Sequence, residues 1–303
     1  MGRSRTLEYP KTPINKVNRY NVRGKYLWFL SSTCVKSSHI TRILTAHIHY
    51  VETYDLEAIH SIINESTYVN VSFNTPDPSN PFPVTLPMVG VAASFDHPSS
   101  SLGDPLDIYI HGYVSARLMN LSRTPGTDSQ QEQPEHEGLP VTISSTKVDG
   151  LILSLTPYTH DINYRSATLY GYATVVTSPE EKLWAMEAVT NSVVADRWRH
   201  TRVPPVSAEV SSTSILKVKV VGGSGKIRVG GPRDEKKDTD QPELVDSIWT
   251  GVIPVYEHFG EPVPGRDNKV TSVPEHVVSY AKEMRERNER YATDVIKDTS
   301  QDY

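Results

Sequence analysis

Two stretches of the chain carry residue types that could grip an anion. The first is Thr159-His160-Asp161-Ile162-Asn163-Tyr164-Arg165-Ser166, a polar turn between two strand-like runs. Arg supplies a planar fork of donors and Ser adds a hydroxyl, so Arg165 and Ser166 at the start of a strand suit a phosphate. The turn is expected to deliver His160, Asn163, Tyr164, Arg165 and Ser166 to one place. The second stretch is His111-Gly112-Tyr113-Val114-Ser115-Ala116-Arg117-Leu118. Gly112 permits close backbone approach. Ser115 and Arg117 open an expected helix over 116–121, and a helix start bearing Ser and Arg is a natural phosphate site. Each has a plainer alternative: a structural salt bridge for Arg165, a satisfied structural role for His160, and a strand end followed by a surface helix for 111–118.

Other chemistries lack their residues. Gly222-Gly223-Ser224-Gly225-Lys226 fails as a P-loop, because Val220 stands where the first Gly is required and Ile227 replaces the Ser or Thr. No His, Cys, Asp or Glu set has metal-ligand spacing. Val-Gly-Gly-Ser-Gly lacks the strand-turn-helix setting of a nucleophile elbow. A dinucleotide-binding fingerprint is absent, so a nicotinamide electron donor would bind transiently. The single cysteine, Cys34, excludes an internal disulfide and fits a reducing compartment. Net charge is −5, without the domain-wide basic excess that points to nucleic acid. No apolar run approaches the ~20 residues of a membrane helix. The first eleven residues lack the apolar core of a secretory signal. These features predict a soluble, cytoplasmic protein.

The elements that must position the two stretches are mostly strands. Asp55–Asn64 reads as a short amphipathic helix, with Asp55 as its cap and Leu56, Ile59 and Ile63 on one face. Strands are predicted over Thr67–Phe73, Pro83–Val89 (an edge or a bulge, given Pro83 and Pro87), Leu106–Ile110, Arg165–Val176 and Ser214–Val221. Val141–Ser145 and Leu151–Leu155 form an expected hairpin about Val148-Asp149-Gly150. Glu180–Trp198 is the best helix, with Pro179 at its start and acids in its first turn. Residues 1–24 look like an extended polar arm, Arg123–Gly138 a polar loop with little to bury, and Pro232–Glu243 a charged linker. Pro274–Ile296 has helical composition and a thin apolar face, so marginal packing is expected there. The order argues for a mainly β fold with a few helices.

The stretch 150–172 resembles a signature of the FMN-binding split-barrel family related to pyridoxamine 5′-phosphate oxidase, nearest its nitroimidazole reductase and resistance branch. His111–Leu118 resembles the family's His-Gly-x-x-Ser-x-Arg-Leu element. Val84-Thr85-Leu86-Pro87-Met88-Val89 resembles the strand whose Pro-Met pair abuts the flavin, although Val89-Gly90 stands where many members carry an aromatic residue. Trp249-Thr250-Gly251-Val252-Ile253-Pro254 resembles a Trp-x-Gly-Val-x-Pro run near the family's end. The resemblance spans residues 54–255 and implies a split β-barrel forming homodimers, with FMN in grooves at the subunit interface. It implies cofactor-binding roles for Pro87, Met88, Ser115, Arg117, Asn163, Arg165, Ser166 and Trp249, and places His111 and Tyr164 at the catalytic ring face. FMN is the implied cofactor; relatives of this fold use FAD, haem or a deazaflavin instead. An FMN-dependent oxidoreductase acting on a small-molecule substrate, such as a nitroaromatic or quinone-like compound or a pathway intermediate, is one reading. The other is a non-enzymatic flavin- or haem-binding dimer.

One segment departs from the pattern. The family's Arg-Gly-x-Tyr-Asp is interrupted here after Arg23-Gly24-Lys25-Tyr26 and resumes at Tyr54-Asp55. Leu27–Thr53 thus reads as an insert within an N-terminal arm, either a lineage-specific loop or a translated unspliced intron. Cys34, His39, His47 and His49 are not expected to be catalytic. Residues 256–303 form a C-terminal tail with a helix.

Overall fold

The computed structural model describes residues 7–10, 51–77, 79–123 and 137–297. Among the described residues nine antiparallel strands build one sheet: β1 (Val51–Thr53), β2 (Val69–Phe73), β3 (Val84–Met88), β4 (Gly90–Ala93), β5 (Asp107–Tyr113), β6 (Leu139–Leu153), β7 (Asp161–Val175), β8 (Thr213–Arg228) and β9 (Gly251–Pro254). The main order is β3-β2-β6-β7-β8-β5-β4, with β1 on β8 and β9 on β6. β3 and β4 are the two ends of that order, yet only Val89 separates them in the chain. The sheet must therefore curl until its ends meet, while no ladder joins β3 to β4. The result is a split β-barrel, the mainly β fold with a few helices that the sequence implied.

Period-two alternation decides what faces the interior. Val69, Val71 and Phe73, Ile108 and Ile110, Val141 and Ile143, Leu169, Leu216 and Val218 point inward and are buried together. Helix α1 (Leu56–Asn64) adds Leu56, Ile59, Ile62 and Ile63 to the same core. It starts at Asp55, whose Oδ2 accepts from the Ala58 amide at 2.9 Å. Helix α2 (Arg117–Leu121) contributes Leu118 and Met119. Helix α3 (Pro179–Val193) lies outside, where Ala185 and Val189 cover Tyr109 and Ile215. Short helices α4 (Ser207–Ser212), α5 (Lys236–Thr239) and α6 (Pro242–Ser247) follow, and α7 (Glu275–Asp294) is the long C-terminal helix.

Residues Leu7–Pro10 dock onto the start of the domain. The Tyr9 amide donates to Tyr54 O at 2.8 Å, and the Leu56 amide to Leu7 O at 3.0 Å. Tyr9 is buried, and its hydroxyl donates to His60 Nε2 at 2.7 Å, while His60 Nδ1 donates to Leu102 O at 2.7 Å. Burial pushes the Tyr9 phenol up and the His60 ring down, so both stay neutral.

Several expected elements change. The expected hairpin at 148–150 is one continuous strand: β6 pairs with β7 throughout, and Asp149 is an extra residue accommodated as a bulge between Val148 and Gly150. A long partner strand overrides the Asp-Gly turn signal. β7 begins at Asp161 rather than Arg165, and β5 runs through His111, Gly112 and Tyr113. β4 and β9 are additional strands. The last three residues of the expected insert, Val51–Thr53, are β1 and pair with Ile227–Gly225. Residues 27–50, with Cys34, His39, His47 and His49, lie outside the described residues, as does most of the 123–138 loop. Residues 222–226 lie within β8, so no phosphate loop exists there. The 232–243 linker contains α5 and the start of α6. Among the described residues no helix is long and apolar enough to cross a membrane.

Candidate functional site

The two anion-gripping stretches sit at opposite ends of the barrel. β5 ends where Tyr113 pairs with Thr213, whereas Arg165 pairs with Ile227. These points are fourteen positions apart on β8, roughly 45 Å of strand contour at ~3.3 Å per residue. Within one chain Arg117 and Arg165 therefore do not converge.

The β5–α2 corner is built around a missing side chain. His111 and Tyr113 face outward and are exposed, and Gly112 faces inward. A Cβ at Gly112 would lie 2.5 Å from Met119 Cε and 3.7 Å from Met88 Cε, so the glycine is what lets those two thioethers close over the strand. Ser115 and Arg117 follow at the exposed turn. Arg117 makes no hydrogen bond or ion pair with another described residue. Its charge reaches Asp77, whose carboxyl is held below its usual range by the Ser79 hydroxyl and amide and then by Arg117. Helix α2 has only five residues, so its dipole is small and any anion grip falls on the side chains. The mass of protein around His111 lowers the pKa of its ring, leaving it neutral near pH 7.

Arg123 gives this corner its rigidity, and sequence reasoning overlooked it. Its Nη1 donates to Val114 O at 2.9 Å and to Asn120 Oδ1 at 2.8 Å, and its Nη2 donates to Ser214 Oγ at 2.8 Å. One guanidinium thus ties the end of β5, helix α2 and the start of β8. Asn120 Nδ2 in turn donates to Ser115 O at 3.1 Å. An arginine three residues beyond an asparagine at a helix end was the available signal.

The second stretch divides by alternation. Tyr164 and Ser166 face outward; Asn163 and Arg165 face inward and are buried. Asn163 Nδ2 donates to Gly230 O at 2.9 Å, and its Oδ1 accepts from Arg228 at 2.7 Å, so both polar ends are used within the chain. Arg165 is ion-paired to Glu65 at 2.5 Å and to Asp149 at 3.4 Å, and its guanidinium lies 3.6 Å from the Tyr291 ring centroid. Within the chain, the side chain expected to grip a phosphate is enclosed by two carboxylates and a ring. His160 bonds through Nδ1 with Thr156 O at 2.9 Å, a local turn contact. The expected meeting of these residues at one place fails because adjacent strand residues point to opposite faces.

Pro87 shares the outer face with Ser166 and Tyr164. The register runs Pro87–Asn70–Ser144–Thr168 across four strands, with Thr146 and Ser166 paired alongside. Hydroxyls line this face, including the Ser72–Thr85 pair at 2.8 Å. Lys226 Nζ lies 5.9 Å from the Tyr164 ring. Met88 lies on the inner side, in the barrel core. Trp249 stands apart, 68% exposed, with its ring laid over Gly251 at the start of β9.

Beneath Arg165 the charges are unbalanced. Arg165 and Lys147 face Glu65, Asp149 and Glu257, with Lys147 Nζ 2.7 Å from Glu257. Burial pushes the Asp149 carboxyl up to about 6, against the pull of Arg165 and Lys147. A raised carboxyl pKa means the folded state holds the proton more tightly than the unfolded chain. That stabilisation is full below about pH 4 and is lost as pH rises through about 6. Asp149→Asn is therefore expected to remove a stability slope worth about 2–3 kcal/mol between pH 4 and 7. Denaturant midpoints measured across that range check it; an unchanged slope contradicts it.

Comparison with known proteins agrees with this architecture. The sequence profile of the family described as pyridoxamine 5′-phosphate oxidase matches residues 55–227, more than half of the chain. The flavocytochrome Anf3 from Azotobacter vinelandii is similar in structure, with a TM-score of 0.59 and 21% identity over 82% of this chain and 96% of that one. The FAD and haem binding protein from Mycobacterium smegmatis has a TM-score of 0.59 and 20% identity over 76% of this chain and 96% of that one. At these identities the likeness is one of fold. No curated protein matches.

Proposed function

The chain belongs to the pyridoxamine 5′-phosphate oxidase family, and on that premise we propose that it is an FMN-dependent oxidoreductase whose flavin phosphate is held at the β5–α2 corner. The observation that carries this reading is Arg117. It is an exposed cation two residues beyond exposed Ser115, without a hydrogen-bonded partner among the described residues, on a turn fixed by Arg123. The residues fit the group: a guanidinium and a hydroxyl for the phosphate, on a strand end that Gly112 lets Met119 and Met88 close beneath. Bound there, the flavin would supply the redox chemistry, passing electrons from a donor to a substrate.

The chain's own residues bind and orient. Arg117 and Ser115 hold the phosphate, and Pro87 and Met88 present the β3 backbone to the ring. Neutral His111 offers one ring nitrogen to donate and one to accept a substrate hydrogen bond. Tyr164 and Ser166, at the far end of the outer face, act on the site of a second copy in a cytoplasmic homodimer. Trp249 lies too far round β9 to share the β5–α2 corner of its own chain and belongs to the same dimer contact. A nicotinamide donor and a nitroaromatic or quinone-like acceptor suit such a site. Arg165 and Asn163 keep the barrel end in register and leave the cofactor alone.

The second reading, a non-enzymatic flavin or haem carrier, is favoured by the names of the two similar structures, a flavocytochrome and a protein that binds both FAD and haem. The absorbance spectrum of the purified protein, with mass spectrometry of the ligand it releases, separates them. Flavin bands bleached by a nicotinamide donor and restored by an acceptor support the enzyme. An inert flavin or a Soret band supports the carrier, and a colourless protein that takes up neither contradicts both. His111→Ala is expected to leave flavin affinity unchanged while lowering kcat several-fold in steady-state assays; unchanged kinetics would remove His111 from the site.

A further inference from the structure

Helix α7 is polar over most of its surface and buries only Met284, Asn288 and Ala292, with Val295 just beyond its end. So narrow a seam, with an asparagine in it, holds a helix loosely. Polar contacts secure its second half. Arg285 pairs with Glu261 at 2.8 Å, Asn288 Nδ2 donates to Glu257 O at 2.9 Å, Arg165 stacks on Tyr291, and the Gly230 amide donates to Val295 O at 2.8 Å. The first turns are fastened differently. The His276 ring stacks on His200 of the 3-10 helix Trp198–His200, with centroids 3.8 Å apart and planes 8° from parallel. Arg197 Nη1 donates to His276 Nε2 at 3.2 Å, which requires that nitrogen to be an unprotonated acceptor.

We propose that the His200–His276 stack is a pH-sensitive latch: it holds the start of α7 against the 198–200 turn while His276 Nε2 is free to accept from Arg197 and releases it on acidification. The surrounding charges favour this direction. Arg197 and Arg199 face the pair; Asp196 is ion-paired to Arg199, and Glu275 accepts from the Ser279 hydroxyl. A proton on His276 would set an N–H against the Arg197 N–H and a cation against a second imidazole. Desolvation, His200 and Arg197 all lower the pKa of the His276 ring. The latch is thus intact above the ordinary His range and is lost as pH falls through the lowered value.

Hydrogen exchange of residues 276–284, corrected for intrinsic rates, tests this in the full chain. Protection in the unaltered protein is expected to fall roughly fivefold between about pH 7.5 and about pH 5.5, the size of one proton taken up on release. His276→Gln retains an acceptor for Arg197 and cannot titrate, so its protection should not respond. His200→Phe retains a stacked ring and should weaken the response, which covers the case in which H276Q loosens the helix at both values. Burial pushes the Asp149 carboxyl into the same interval, and Asp149 pairs with the Arg165 that stacks on Tyr291, so D149N must keep the full response. Unchanged protection in the unaltered protein overturns the latch. So does an equal fall in H276Q, a full response in H200F, or loss of the response in D149N.

Discussion

Arg117→Ala is expected to weaken FMN binding by about 10- to 100-fold, because it removes a charge-assisted pair to phosphate worth about 1.5–3 kcal/mol. The loss should be in affinity and not in folding. Arg117 is exposed and tied to no other described residue, so the melting temperature of the cofactor-free protein should stay unchanged. Arg117→Lys keeps the charge without the planar fork and should recover part of the affinity. Flavin fluorescence titration reads all three proteins. Full retention of FMN by R117A would move the phosphate away from the β5–α2 corner.

Arg165→Met is expected to do the reverse. It leaves Asp149 buried and Glu65 half-buried without their cation, and breaking a buried pair by removing one partner costs about 3–5 kcal/mol. The stack on Tyr291 goes with it, so α7 loses a main attachment. A drop in melting temperature of roughly 10 °C follows for a domain of this size. FMN affinity per folded molecule should hold. A stable R165M protein that no longer binds flavin would restore Arg165 to the phosphate and contradict its enclosure by carboxylates.

These two arginines show what the sequence could disclose. Both sit in short motifs with a serine nearby, and residue type alone gave both the same chemistry. What separates them is geometry that spacing does not carry. Arg165 is an odd-numbered residue on a strand whose odd positions face the core, and its partners come from α1 and a β6 bulge. Alternation along 161–175 is readable, but a strand that starts at Arg165 hides the inward set. The Asp149 bulge looks like a hairpin turn in sequence, since Asp-Gly is a strong local signal and only a long partner strand overrules it. Helix α1, with its Asp55 cap and apolar face, was legible because its stabilisation is local. The split barrel itself was reached through the resemblance. Strand patterns alone gave a mainly β class and could not show that β3 and β4, one residue apart, close the sheet. Arg123 was missed because its role is to bond three elements that meet only in the fold.

The most direct test of the central claim is a comparison of FMN with riboflavin, which differ only in the phosphate, titrated into cofactor-free protein. A grip by Arg117 and Ser115 predicts FMN binding at least about 100-fold tighter, the worth of roughly 3 kcal/mol of phosphate contacts. Equal affinities for the two, or binding of neither, would contradict it.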